Sequence, residues 1–323
     1  MNVLYILGNG FDKAQGMKTS YPEFYQYLMT KTDNGSKLLQ QLKEDINEDK
    51  KLWSDMEEAF GRFTSKIDTS EDLKKLYFEL SDTLHQYLLE EEKAFIPDDN
   101  HKAKIQSDFI SPEKYLGETD WARFEASARK VSSKHDISVM SLNYTNTLER
   151  LLSMTEANGK NFGNNTILRQ IIHVHGRLND PIIIGVDNEQ QIANEKFRGD
   201  EDIKDLLVKV QSNLAMKNAR HTTCEKLIRE AHLIILFGVS LGETDARWWK
   251  LIGKQFKQRT NLSVIQYVYM PEQIPTTRKQ LLGHFERMQK GCIMQKFGFR
   301  EGDWPNDTND RLFIIINSNA FMA

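Results

Sequence analysis

A chain of 323 residues can bury a large core, as one α/β domain with a sizeable insertion or as two small domains. Its 28% charged and 39% hydrophobic residues suit a globular protein, and 43 Lys+Arg against 46 Asp+Glu leave a net charge of −3, which gives no support for nucleic-acid or membrane-surface binding. Cys224 and Cys292 form no Cys-x-x-Cys, no run of about 18 apolar residues occurs, and no basic segment precedes the short apolar run after Met1-Asn2, so neither a disulfide framework, a zinc site nor a membrane is indicated and a cytoplasmic location is expected.

The first expected element is a buried strand, Asn2 to Leu7, which runs straight into Gly8-Asn9-Gly10 and then Phe11-Asp12 and a helix. A strand that stops at Gly-x-Gly before a helix suits a phosphate or pyrophosphate, because the ligand can approach the backbone and the helix dipole favours negative charge. The same pattern also serves as a plain tight turn. The third glycine of the dinucleotide fingerprint is missing, as is the acidic residue roughly 20 positions on.

Thr19-Ser20 before Tyr21-Pro22-Glu23 reads as a helix start, with Phe24, Tyr27 and Leu28 on one face. From about Ser36 to Lys93 the period is helical: Leu38, Leu39, Leu42 and Ile46 make one stripe, and Leu73, Leu76, Tyr77, Leu80, Leu84, Tyr87 and Leu88 a longer one. Glu90-Glu91-Glu92 reads as a solvated helix end. This region is expected to be a helical insertion or subdomain, residues 33–120, hung after the first strand, with residues 1–32 and 121–323 forming the α/β domain. Residues 97–120 read as loop, and Trp121 to Lys134 as a further helix.

The sheet then resumes. Strands are expected over Ile137 to Leu142, Ile171 to Val174, Pro181 to Val186, Leu233 to Phe237, Ser263 to Tyr269 and Leu312 to Ile316. Helices are expected over Thr147 to Leu152, from Glu201 to Ala231 with a break near His221-Thr222, and over Thr244 to Phe256 and Thr276 to Met288. The alternation argues for a parallel sheet with helices on both faces.

Four polar or glycine-rich loops follow apolar strands: Gly8 to Asp12, Asn143 to Asn146, His173-Val174-His175-Gly176, and Gly238 to Asp245. In an open parallel sheet ligands sit beyond the carboxyl ends of the strands, so four such loops form a constellation although each alone says little.

Ile6-Leu7-Gly8-Asn9-Gly10-Phe11-Asp12, Ser20-Tyr21-x-x-Phe24, Leu142-Asn143-Tyr144-Thr145-Asn146-Thr147-Leu148-Glu149 and His173-Val174-His175-Gly176, in that order, resemble the bacteriophage abortive infection AbiH family over most of the chain. More distantly the order is similar to that of Sir2-like NAD-binding proteins, which include deacylases and NADases of antiviral defence. The resemblance implies a Rossmann-like, Sir2-like parallel sheet and NAD as substrate or ligand. It implies that Gly8, Asn9, Gly10, Phe11 and Asp12 bind the cofactor at its pyrophosphate, that Gly238 and Ser240 receive the adenosine-side ribose, and that Asn143 and His175 are catalytic. No metal is expected. Thr145 stands where many Sir2-like NADases have Asp, Asp12 stands where sirtuins have Ser, and the paired-cysteine zinc module of the deacylases is absent.

Cleavage of the nicotinamide–ribose bond needs few groups, since nicotinamide leaves as a neutral base and needs no general acid. The protein must stabilise an oxocarbenium-like ribose and position a water. Plainer roles stand beside these. His173 reads as a packing or hydrogen-bonding histidine, Asn143 as a possible helix cap, Glu243 and Asp245 as helix-dipole partners, and Trp248-Trp249 as packing against the sheet or an oligomer surface. Three functional readings remain open: an NAD+ glycohydrolase that stalls a phage-infected cell, a non-catalytic nucleotide-binding sensor acting through a partner, and a metal-dependent phosphoesterase or nuclease using His173 and His175. An NADase needs restraint in its own cell, so a phage-derived trigger or a homo-oligomer is expected, with control placed in the helical insertion as the part with no sheet or pocket role.

Overall fold

The computed structural model describes residues 1–31, 35–128, 134–154, 159–163, 165–272 and 280–322. Among the described residues seven strands are formed, β1 (Asn2–Leu7), β2 (His135–Ser141), β3 (Lys160–Gly163), β4 (Thr166–His173), β5 (Leu233–Phe237), β6 (Ser263–Val268) and β7 (Leu312–Ile316). They lie in one sheet in the order β3-β4-β2-β1-β5-β6-β7. Only the β3–β4 pair is antiparallel; β3 adds a short edge hairpin to an otherwise parallel sheet. The chain winds outward from β1 through β2 to β4, then returns to the other side of β1 and winds through β5, β6 and β7. The reversal therefore lies at β1 and β5, as in a Rossmann-like doubly wound sheet.

Alternating residues of the central strands face two separate cores. Leu4, Ile6, Ile234, Leu236 and Val264 pack with Ile228, Trp248, Trp249, Ile252 and Ile293 on one side. Val3, Tyr5, Leu7, Ile235 and Ile265 pack with Phe109, Phe124, Leu148 and Phe321 on the other. Trp248 and Trp249, both 1% exposed, thus pack against the sheet.

Between β1 and β2 stand the helices Tyr21–Thr30, Lys37–Glu48, Met56–Phe63 and Ser70–Ala94. The first begins at a capping box: the Ser20 side chain accepts from the backbone N–H of Glu23, whose carboxylate accepts from the Ser20 N–H (3.0 Å). These helices have their own apolar cluster around Trp53, Phe60, Leu76 and Leu84. Ile182, Ile184, Val186, Phe197 and Leu207, from much later in the chain, complete it.

Several expectations need correction. Residues 97–120 are not loop: Asp98 caps the helix Asp99–Ile110 by accepting from the His101 N–H (2.7 Å), and a further helix spans Glu118–Ala128. The polar segment Pro97 to Asn100 resembles a turn in sequence, but its Asp is an N-cap. The helix expected to reach Lys134 extends in part over residues outside the described set, as does the start of the one expected at Thr276. The latter element is the helix Leu282–Lys296. Pro181 to Val186 does not join the sheet. Ile182, Ile184 and Val186 are buried against the helical cluster, and only Val186 bridges to Val208. The 201–231 stretch forms three helices, Glu201–Leu207, Lys209–Ala215 and Arg220–Glu230, broken at Val208 and at residues 216–219 and not at His221-Thr222.

Candidate functional site

The strands that flank the reversal end at one level. Leu7 pairs with Ser141 on one side and Phe237 on the other, and Ser141 pairs with His173. The loops that follow are thereby gathered, and they wall a cavity of about 700 Å³, within the usual range of small-molecule sites. Gly8, Asn9, Gly10, Asp12, Asn143, His175, Gly238 and Ser240 all line it. Phe11 does not. Its ring is 1% exposed and lies edge-on to Phe237, 6.2 Å between centroids, in the core beneath the sheet.

One wall comes from the helical region, through Asp55, Glu57, Leu84 and Leu88. The expectation that this region has no pocket role is therefore wrong. Its acidic triplet is also engaged: Glu91 accepts from the Lys18 N–H (3.0 Å), and Glu92 accepts from the backbone and side-chain N–H groups of Asn146 (3.3 and 3.2 Å). These bonds fix the helical layer to the segments that follow β1 and β2.

The glycine end of the cavity is a joint between two backbones. A Cβ on Gly10 would lie 2.5 Å from the Gly238 Cα, and one on Gly8 2.6 Å from the Gly238 carbonyl oxygen. Gly238 itself has φ +67°, and a Cβ there would meet the Phe11 nitrogen at 2.4 Å. The Gly8 N–H donates to the Phe237 carbonyl (3.0 Å) and the Gly10 N–H to the Gly238 carbonyl (2.9 Å). These N–H groups are thus committed to the joint, and the glycines are required by close approach whether or not a phosphate binds. Asn9 donates to the Thr19 carbonyl (3.0 Å) and accepts from the Thr19 hydroxyl, which holds the turn against the next segment. Downstream of Gly238, Ser240 is exposed at the cavity, while Leu241 has its side chain buried at φ +54°, a backbone conformation unfavourable for Leu that packing must hold.

Beside this joint, Asp12 is 2% exposed. Its Oδ2 accepts from the Thr145 hydroxyl (2.6 Å), whereas Oδ1 has no hydrogen-bond partner. Burial pushes its pKa from 3.8 up to about 6, against the opposing pull of the Thr145 and Thr147 hydroxyls and of His173. The Asn143 side-chain amide donates to the Gly8 carbonyl (3.1 Å), linking the loop after β2 to the glycine turn. Asn143 is not a helix cap; that place belongs to Asn146, ahead of the helix Thr147–Leu151.

His173 and His175 are treated oppositely. Both ring nitrogens of His173 are engaged, Nδ1 with the Asn143 carbonyl (2.8 Å) and Nε2 with Glu149 Oε1 (2.8 Å). Burial opposes its protonation, but Glu149 and that carbonyl outweigh burial and raise its pKa. His173 thus positions the Asn143 loop, and with both nitrogens taken it has none left for a metal. His175 leaves β4 on the far side of Val174, and Gly176 (φ +85°) then turns the chain where a Cβ would strike the Pro181 carbonyl at 2.2 Å. Burial, followed by the positive charge of Lys209, lowers the His175 pKa, so its imidazole is neutral at pH 7.

The His175 end is the part of the site that motif reading missed. Nε2 of His175 lies 3.1 Å from Asp245 Oδ1, but off the line of a well-formed hydrogen bond. The same Oδ1 accepts from Lys209 Nζ (3.1 Å), which also donates to Glu57 Oε2 (2.8 Å) and to the Thr244 carbonyl (3.1 Å). Lys209 is 2% exposed, and its two carboxylate partners outweigh burial to raise its pKa. Burial pushes the Glu57 pKa up, against the pull of Lys209; Asp245 is held low, since Lys209 and His175 outweigh its burial. Asp245 is therefore no mere dipole partner, and it makes no side-chain cap. In sequence, Glu57 and Lys209 look like any charged residues of amphipathic helices. Only Asp245 had a signal, its place in a loop at a strand end.

Among the described residues, no group of three or more His, Cys, Asp or Glu is placed to hold a metal ion, and no helix is long and apolar enough to cross a membrane. In comparisons with known proteins, residues 4–267 match the family model described as Bacteriophage abortive infection AbiH, which covers well over half of the chain. No curated protein matches the chain.

Proposed function

The chain belongs to the bacteriophage abortive infection AbiH family, and we propose that within anti-phage defence it works as an NAD+ glycohydrolase of Sir2-like type. The observation that carries this reading is the convergence of Gly8, Gly10, Asn143, His175 and Ser240, from four loops, on one cavity at the sheet's reversal. In this reading the pyrophosphate lies along the joint of Gly8, Gly10 and Gly238, where no side chains keep it off, and Ser240 meets the adenosine-side ribose. Asp12 Oδ1, buried and without a partner, accepts from a ligand hydroxyl or amide.

The reaction is NAD+ plus water to nicotinamide, ADP-ribose and a proton. The C1′–nitrogen bond breaks with its electron pair passing to nicotinamide, and a water oxygen bonds C1′. Neutral His175 takes the water's proton and later releases it to solvent. Asn143 orients that water or a ribose hydroxyl. The carboxylates of Glu57 and Asp245 lie at the His175 end, where they favour the positive charge that develops on the ribose.

The test is to incubate purified protein with NAD+, with and without EDTA and phage lysate, and follow free nicotinamide. Release that survives EDTA and is lost in Asn143→Ala and His175→Ala supports the proposal. NAD+ binding without release under every condition supports a nucleotide sensor instead, and EDTA-sensitive cleavage of nucleic acid a metal-dependent nuclease.

A further inference from the structure

Four ionisable groups from four separate segments meet at the cavity wall: Glu57 from the helix Met56–Phe63, His175 from the loop after β4 and Asp245 from the loop after β5 line the cavity, with Lys209 from the helix Lys209–Ala215 behind them. They form a line. Glu57 Oε2 is 2.8 Å from Lys209 Nζ, which is 3.1 Å from Asp245 Oδ1, itself 3.1 Å from His175 Nε2. Glu57 is anchored further by accepting from the Gly185 N–H (3.3 Å). A buried cluster of this kind is seldom a good route to stability, since apolar residues of similar volume often hold a fold as well or better. Its placement at a cavity, with His175 at the end of the line, argues that the arrangement serves that histidine.

We propose that Asp245 is the positioning residue for His175, and that Lys209 and Glu57 hold Asp245 in place, so that the helical layer enters the reaction through Glu57. The inference rests on the glycohydrolase reading for what His175 does, but not for how the histidine is held. Asp245 has only acceptors, so a histidine oriented by it carries its proton on Nε2 and keeps the Nδ1 lone pair for the base. At 3.1 Å the two atoms are within hydrogen-bonding reach, and a small rotation of either side chain brings them into line. Charge is also provided for. When His175 gains a proton, two positive groups face the two carboxylates of Asp245 and Glu57, and the line is neutral. The other ionisable groups that face the line are Asp55, near Glu57, Lys209 and Asp245; Asp187, near Asp245, which accepts from the Arg247 N–H (3.4 Å); Arg247 itself, whose side chain donates to Glu225 (2.7 Å); and the buried His221 beside His175.

The experiment is 15N NMR of histidine-labelled full-length protein, which reads tautomer and titration without any turnover. His175→Gln identifies the His175 signals among the eight histidines. The expected result is an Nε2–H tautomer in the wild type, a loss of that preference in Asp245→Asn, and a lowered His175 pKa in Glu57→Gln, where removing one negative charge leaves Lys209 less balanced. If Asp245→Asn does not fold, the isosteric Glu57→Gln alone decides. In nicotinamide release, Asp245→Asn should lower kcat at least tenfold with little change in KM, and Glu57→Gln should move the acid limb of the pH profile to lower pH. An Nδ1–H tautomer in the wild type, or His175 signals unchanged in both variants, overturns the proposal. Absence of nicotinamide release with the expected NMR result overturns only the glycohydrolase reading.

Discussion

The two ends of the cavity are built on different principles. The glycine end is backbone against backbone: Gly8, Gly10 and Gly238 touch, with the Gly8 N–H bound to the Phe237 carbonyl and the Gly10 N–H to the Gly238 carbonyl. The His175 end is side chain against side chain, with the buried Lys209 held between the carboxylates of Glu57 and Asp245. A joint of the first kind tolerates no added atom. One of the second kind tolerates no lost charge. Between them lies Asp12, with one carboxylate oxygen satisfied and one not.

The contrast can be broken by substitution. Lys209→Met should have the largest effect, because it strands two buried carboxylates; a loss of about 3–5 kcal/mol is expected from denaturant midpoints. A loss under about 1 kcal/mol would mean that the charged end is no more demanding than an exposed ion pair. Asp12→Asn should act in the opposite direction. With a folded-state pKa of about 6 against 3.8, the folded protein binds more protons than the unfolded chain between about pH 4 and 6. Stability therefore falls as pH rises through that window, by about 3 kcal/mol in all. Asparagine removes that dependence, so the variant should be the more stable protein at pH 7 and match the wild type below pH 4. Equal stability at both pH values would show that the carboxylate is not strained by burial, and would remove the main physical mark of Asp12 as a ligand group.

At the glycine end, Gly10→Ala should cost about 1–3 kcal/mol, since the new Cβ overlaps the Gly238 backbone and no flexible side chain is there to yield. The same substitution at Gly117, where nothing lies within 4 Å, should change little and serves as its control. The smallest effect is expected away from the cavity. Asp98→Ala removes the side-chain cap of the helix Asp99–Ile110 and should cost about 1 kcal/mol, with NAD+ binding unchanged.

The same contrast governs what could be read from sequence. The glycine end was legible because its requirement is local: β1, Gly8 and Gly10 are consecutive, and β5 runs directly into Gly238. The strands were legible where both faces are buried, as at Leu233 to Phe237. The loops gathered as expected because in-register parallel strands bring their carboxyl ends to one level. Phe11 was misplaced for an instructive reason. It lies inside the motif, yet it enters the short helix after the turn with its ring directed into the core. The charged end was illegible, because Lys209 Nζ finds its partners 152 and 36 residues away in sequence. Nothing in the local pattern separates it from a solvated lysine. Pro181 to Val186 was misread for a related reason: its apolar run is needed by the helical cluster, which lies far from it in the chain.

The most direct test of the account is the NAD+ pool of phage-infected cells carrying the wild type, His175→Ala or Asn143→Ala at equal expression. The expected result is a fall in NAD+ with matching nicotinamide and ADP-ribose in wild-type cells only, together with loss of protection in both variants. Protection from phage with an undiminished NAD+ pool would contradict it.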